Sequence, residues 1–241
     1  MTKTAHHTED DLPLSQLRLA RLPTVADQVF DAIHANILTL ALPPATKLSE
    51  AEVAKKMGVS RQPVREAFRR LSKLGFLVIK PQSSTTVSLI SEEAVLRALY
   101  IRDALEKQTC RTACQTLDAE GHAALSDLIT KQRDAIARQD RDSFHALDDA
   151  FHREICKRAG VDYVWDMIHE CKGHMDRIRM LTLNTASQQH ALDGHIDIFD
   201  AISAGDADRA DALISKHLSR ILIAIEKTKT ENHHWFTDTS P

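Results

Sequence analysis

Between Ser49 and Leu71 the apolar positions recur at helical spacing in two short runs separated by a glycine. Val53, Ala54 and Met57 give the first run one apolar face. Ser49, followed three residues later by Glu52, has the form of a capping box that would open it. Gly58 stands where the chain must turn sharply, because glycine takes positive φ without a Cβ penalty. The second run starts at Ser60, a residue type suited to capping, with Pro63 in its first turn, where a missing N–H costs little. Its Val64, Phe68 and Leu71, at i, i+4 and i+7, form a stripe that must be buried. Two β-prone segments follow, Phe76 to Lys80 and Thr85 to Ile90, and predict a hairpin. Upstream, a helix is expected over 24–40, opened by Thr24 and Asp27 and ended by Pro43-Pro44.

From Ser91 onward the pattern is helical throughout. Ser91-Glu92-Glu93 is a strong start, since acid at a helix N-terminus meets the positive end of the dipole. Six helices are expected, over 91–116, 119–138, 141–159, 161–183, 187–204 and 207–228. The breaks between them are short, which favours an antiparallel bundle. At 241 residues the chain can hold two modest domains. The fold class is mainly α. A winged helix-turn-helix domain over 22–90 precedes an all-α bundle over 91–229, with a flexible arm over 1–21. The tail over 230–241 is expected to be loose, although Trp235 and Phe236 could dock.

Charge divides the chain along the same line. From Lys47 to Lys80 there are nine Lys/Arg against three Asp/Glu, in a chain whose net charge is −3. Local basicity on an acidic protein is the electrostatic footprint of nucleic-acid binding. Arg61, Arg65 and Arg69 recur every four residues on the second helix, away from the apolar stripe. Such a row can enter a major groove, where a guanidinium forks guanine O6 and N7, while other cations hold phosphates. Residues 91–241 carry nineteen Lys/Arg and twenty-six Asp/Glu, so the bundle is not the DNA-binding part. Four cysteines without a CxxC pair read as reduced thiols, and no apolar run reaches the ~18 residues of a membrane span. The expected location is the cytoplasm, on the nucleoid.

The run SRQPVREAFRRLSKLGFLVIKPQ resembles the N-terminal domain of GntR-type bacterial transcription regulators, and the helical remainder resembles the FadR-type ligand-binding domain called FCD. The resemblance spans roughly 22–228, and its S-R-x-P-V-R-E-A motif is highly specific. It implies a homodimer on a double-stranded DNA operator, most often a repressor. Arg61, Arg65 and Arg69 are the implied DNA contacts, with Ser60 and Gln62 at the helix start. Two positions depart from the family: Ala45 replaces its usual Gly, and Ser83-Ser84 replaces Arg-Gly in the wing turn.

Within the bundle, Asp148 and His152 lie four residues apart on one helix face, and His195 and His217 fall on later helices. One hard carboxylate with three imidazoles suits a borderline divalent ion, zinc above all, with nickel or manganese accepted. FCD domains often carry this Asp-x3-His and the two later histidines, so the resemblance implies that the four form one metal site. Arg102 and Glu106 have the spacing of an ordinary surface pair. In FCD proteins, however, an arginine at the position of Arg102 looks into the ligand cavity, where it can fork a carboxylate. His174 and Arg177 could face that cavity or form a helix rim. The implied effector is a small organic acid. A metal-dependent hydrolase with an appended DNA domain is the rival reading, and no further Glu or His stands at a spacing that nominates a general base. A third reading makes the metal a structural staple.

Overall fold

The computed structural model describes residues 23–80 and 84–237. The expected arm over 1–21 and the Ser83 of the wing turn lie outside the described residues. Helix α1 (Val25–Leu38) opens with a reciprocal cap, in which Thr24 Oγ1 accepts from the Asp27 amide at 3.1 Å and the Asp27 carboxylate accepts from the Thr24 amide at 3.0 Å. Strand β1 (Lys47–Leu48), helix α2 (Glu50–Met57) and helix α3 (Arg61–Lys73) follow, joined across the α2–α3 turn by Gly58 at φ 68°. Strands β2 (Leu77–Ile79) and β3 (Thr85–Val87) form the wing hairpin. Strand β1 was not expected. It pairs with the outer edge of β3, Lys47 opposite Thr86, to give an antiparallel sheet of order β1-β3-β2.

Three local expectations are corrected. Ser49 makes no side-chain capping bond: the chain enters α2 straight from β1 with Ser49 extended, and the acidic first turn, Glu50 and Glu52, answers the helix dipole instead. Ser60 precedes α3 as expected but makes no capping bond either. Met57 is exposed, so the apolar face of α2 consists of half-buried Val53 and buried Ala54. On α3, by contrast, Val64, Ala67, Phe68 and Leu71 are all buried, against Val29, Ile33 and Ile37 of α1.

Eight helical segments replace the expected six: α4 (Glu92–Thr116), α5 (Ala119–Ala137), α6 (Arg141–Arg158), α7 (Asp162–Cys171), α8 (Gly173–Thr182), α9 (Thr185–Ser203), α10 (Ala207–Ser219) and α11 (Ile221–Glu231). The expected helix over 161–183 is broken at Lys172. Immediately beyond it, Gly173 lies against the Phe76 ring, where a Cβ would collide. The expected helix over 207–228 breaks at Arg220, whose amide takes a tightened bond to the His217 carbonyl. This break redirects the chain, since α10 packs on α4 and α9 whereas α11 packs on α8.

The tail docks as far as Thr237 rather than hanging loose, and its last residues, 238–241, lie outside the described residues. Ile90 donates to the Trp235 carbonyl at 2.7 Å and accepts from the Thr237 amide at 3.0 Å. Phe236 is buried with Ile90, Val95, Ile178 and Ile225 in a core that α4, α8 and α11 form around the tail and Ile90. Among the described residues, no helix is long and apolar enough to cross a membrane.

Candidate DNA interface and metal centre

Burying the apolar stripe of α3 turns Arg61, Gln62, Arg65 and Arg69 outward, and all four are exposed. Arg65 is held by α2: its Nε lies 3.2 Å from the Glu50 carboxylate, while the side chain stays about half exposed, at 46%. The fourth arginine of the helix, Arg70, is structural. It donates to Asp27 at 2.7 Å and stacks its guanidinium over Phe30, tying α3 to α1.

In the bundle, α6 brings Asp148 and His152 to one face, α9 brings His195, and α10 brings His217. One donor atom from each lies within 4.8 Å of the others. Asp148, His152 and His195 are essentially inaccessible, and His217 borders a cavity. Neighbours fix the ring orientations. His195 Nδ1 lies 2.7 Å from Gln132 Oε1 on α5, and the Gln132 amide nitrogen donates to the Leu147 carbonyl. With its nitrogen thus committed, Gln132 offers only an acceptor, so His195 carries its proton on Nδ1 and turns a bare Nε2 to the cluster. His152 Nδ1 lies 2.6 Å from Glu106, which is also bonded to Arg102.

Electrostatics fit a cation. Burial pushes His195 down to about 3 and His217 well below the usual imidazole range, so both are neutral donors. Burial alone would raise Asp148, but the Arg179 guanidinium, 2.5 Å away, holds it well below the usual carboxylate range. His152 Nε2, His195 Nε2, His217 Nδ1 and Asp148 Oδ2 are buried without hydrogen-bond partners. Buried lone pairs in that state are costly unless something occupies them. Neutral nitrogens and an ionised carboxylate at this spacing are the donor set of a divalent metal.

Beside the cluster lies a cavity of about 320 Å³, lined by Arg102, Met175, Arg179, Thr182 and His217, with His190 and Lys227 toward its mouth. Arg102 and Glu106 are not a surface pair: their side chains are 2% and 3% exposed and meet at 2.6 Å. Arg102 Nη2 and Arg179 Nη1 are buried without hydrogen-bond partners, the latter 4.0 Å from the Asp149 carboxylate. Glu106 turns away from the cavity toward His152. The reading of His174 and Arg177 as cavity residues is also corrected. Met175, Arg179 and Thr182 occupy the cavity face of α8, so helical periodicity turns His174 and Arg177 toward the winged domain, where His174 stacks on Phe76 and Arg177 bonds Ser88. Arg179 and Gln132 were missed. The i, i+4, i+7 spacing of Met175, Arg179 and Thr182 was the available signal for Arg179, whereas nothing local marks Gln132.

Residues 25–87 match the model of the bacterial regulatory proteins of the gntR family, and residues 98–220 match the FCD domain. The chain is 34% identical over 215 residues to the transcriptional repressor RspR of Escherichia coli, covering 89% of this chain and 94% of that one. It is 30% identical over 207 residues to the probable D-xylose utilization operon repressor of Paenarthrobacter nicotinovorans, covering 86% and 91% of the two chains. The solved structure of E. coli McbR/YncC superposes with a TM-score of 0.73 at 21% identity, over 86% of this chain and 99% of that one, and shares the fold. With a basic reader helix on a winged domain, a helical bundle behind it and these relatives, the chain belongs to the GntR family of bacterial transcription regulators, in the branch that carries an FCD domain.

Proposed function

We propose that this regulator is a homodimeric repressor whose operator affinity is set by a small organic acid bound in the bundle cavity beside a divalent metal. The two relatives described above are named as repressors, which supports the sign of regulation. Ser60, Arg61, Gln62, Arg65 and Arg69 read the operator, with the reader helices of the dimer in successive major grooves about 34 Å apart. Asp148, His152, His195 and His217 hold the metal, zinc by preference, with nickel or manganese as alternatives. A metal held there would act as a Lewis acid toward the carboxylate or hydroxyl oxygens of the effector. The chain's own part is to bind and orient the acid: the guanidinium-bearing Arg102 and Arg179 line the cavity, and Lys227 adds a further positive charge among its lining residues.

The observation that carries this reading is the cluster of unpartnered metal-ligating atoms beside two guanidiniums that each keep one buried nitrogen without a hydrogen bond, because one ligated acid would satisfy both sets. Elemental analysis of protein purified without chelator is expected to find about one divalent ion per subunit, lost in His195→Ala. A metal-free wild type would remove the metal from the proposal. Thermal-shift screening of small organic acids against the metal-loaded chain then identifies the effector, since a ligand stabilises what it binds. Arg102→Lys keeps the cation opposite Glu106 but loses the fork, and is expected to bind that acid roughly tenfold more weakly. The ligand set joins α6, α9 and α10, which also supports a structural staple. A staple predicts that chelation unfolds the bundle, whereas a sensor loses mainly its ligand response.

A further inference from the structure

Helix α8 is only ten residues long, broken from α7 at Lys172 and ended by Leu183 in an extended conformation. Its two faces are committed to different parts of the molecule. On one, Met175, Arg179 and Thr182 line the cavity, and Arg179 reaches Asp148 at 2.5 Å. On the other, Gly173 lies so close to Phe76 that no side chain fits between them. His174 stacks on the Phe76 ring, centroids 5.6 Å apart, and its Nδ1 accepts from the Ser91 amide at 3.4 Å. Arg177 is wholly buried and donates to the Ser88 carbonyl at 2.8 Å and to Ser88 Oγ at 3.4 Å. Ser88 and Ser91 belong to the segment joining β3 to α4, which is also where the C-terminal tail docks on Ile90.

We propose that α8 is the element through which cavity occupancy reaches the DNA-reading domain, with Arg177 and His174 as its positioning residues on the winged side. The cavity end rests on the metal and effector reading given above. The winged end stands on the geometry alone. Arg177 is the informative residue. Its guanidinium is buried with no carboxylate beside it, held by one backbone carbonyl and one hydroxyl, and its Nε has no partner. A buried charge tied to few acceptors stays put only while they keep their places, because it has no solvent to fall back on. A shift of α8 by a fraction of an ångström at Arg179 therefore moves Ser88 with it or breaks the Arg177 bonds. Both outcomes change how the wing is seated. The anchor at the N-terminal end of α8 is equally rigid: Lys172 is buried and bonded to Asp149 of α6 at 2.8 Å and to Asp176 at 2.5 Å, so the helix pivots about a fixed point.

Amide hydrogen exchange on the full-length chain tests this in two arms. In metal-free protein, Arg179→Gln is expected to speed exchange at the Ser88, Ile90 and Ser91 amides on the order of tenfold. The same substitution should have no effect on them in an Arg177→Met background. Equal acceleration in both backgrounds, or none in either, would overturn the proposal. Gly173→Ala, which wedges Phe76 away from α8, should uncouple the amides in the same way and serves if Arg177→Met does not fold. In the second arm, Zn²⁺ added to the metal-free chain is expected to slow exchange around His152, His195 and His217 and also at Ser88 to Ser91. In Arg177→Met only the first effect should survive. Zn²⁺ protection confined to the bundle in the wild type would refute the coupling. Failure of Zn²⁺ to bind would refute the metal site instead, and the first arm would still decide the role of α8.

Discussion

Arg65 lies on the exposed basic face of α3. Its guanidinium is steered by Glu50 on the neighbouring helix yet remains about half exposed, so a base edge or phosphate can replace the carboxylate at small cost. Arg65→Ala is expected to weaken operator binding by about 1 to 3 kcal/mol and to relax sequence preference, as measured by titration against operator and random duplexes. Equal losses on both would make it a phosphate contact. A second residue-scale effect sits at Ala45, where the family usually has Gly. The backbone there has φ 67°, a left-handed conformation in which a Cβ crowds the following carbonyl, and the amide is nonetheless tied to the Val87 carbonyl at 2.9 Å. Ala45→Gly should raise stability by about 0.5 to 1 kcal/mol, the relief of strain being partly offset by the freer unfolded chain. Urea unfolding that shows a lower midpoint would contradict this. At Arg102 the residue scale warns against a blunt test. Arg102→Ala strips the buried Glu106 of its cation and should cost about 3 kcal/mol or more of stability, which is why the lysine variant is the cleaner probe.

At the scale of elements, the Asp148–His152–His195–His217 cluster is a product of how α5, α6, α9 and α10 pack. The i, i+4 pair on α6 is a property of one helix, but the orientation of His195 depends on Gln132, sixty-three positions earlier in the chain. Replacing Gln132 with Leu leaves the His195 Nδ1–H buried without an acceptor and frees the ring's tautomer. Gln132→Leu is expected to lower metal affinity about ten- to a hundredfold, measured by competition against a chelator. Unchanged affinity would mean that packing against Phe151, stacked on His195 with centroids 4.4 Å apart, fixes the ring instead. Element packing also explains why six predicted helices became eight. The periodicity of residues 161–183 is continuous, and nothing in it anticipates that Phe76, ninety-seven positions earlier, needs the space beside Gly173.

At the scale of the whole molecule, the junction between reader and bundle carries two imidazoles against the Phe76 ring, the partly buried His34 of α1 edge-on to it and the buried His174 of α8 stacked on it. Burial lowers both to about 4. His34 also faces His169, Lys172, Asp176 and Asp31, and His174 faces Arg177, so cations and carboxylates are both near. With folded values below the unfolded one, the unfolded chain binds more protons between pH 6.5 and 4, and stability falls as pH falls through that window. The loss is expected to reach up to about 2 kcal/mol per histidine at pH 5. Urea unfolding from pH 7 to pH 5, compared with a His34→Gln/His174→Gln double variant, checks it; a variant as acid-sensitive as the wild type would place the effect elsewhere. What the amino-acid sequence determined by itself is everything set by local covalent geometry. The faces of α3, the Thr24 cap, the exposed arginine row, the Asp148–His152 pair and the division into a basic reader and an acidic bundle all follow from period and composition. Tertiary structure decided where buried polar groups found partners: strand β1 beside β3, the tail on Ile90, Arg177 on Ser88 rather than in the cavity, and Gln132 behind His195. Those outcomes depend on which distant segment reaches hydrogen-bond distance once water is excluded, and no local pattern encodes that.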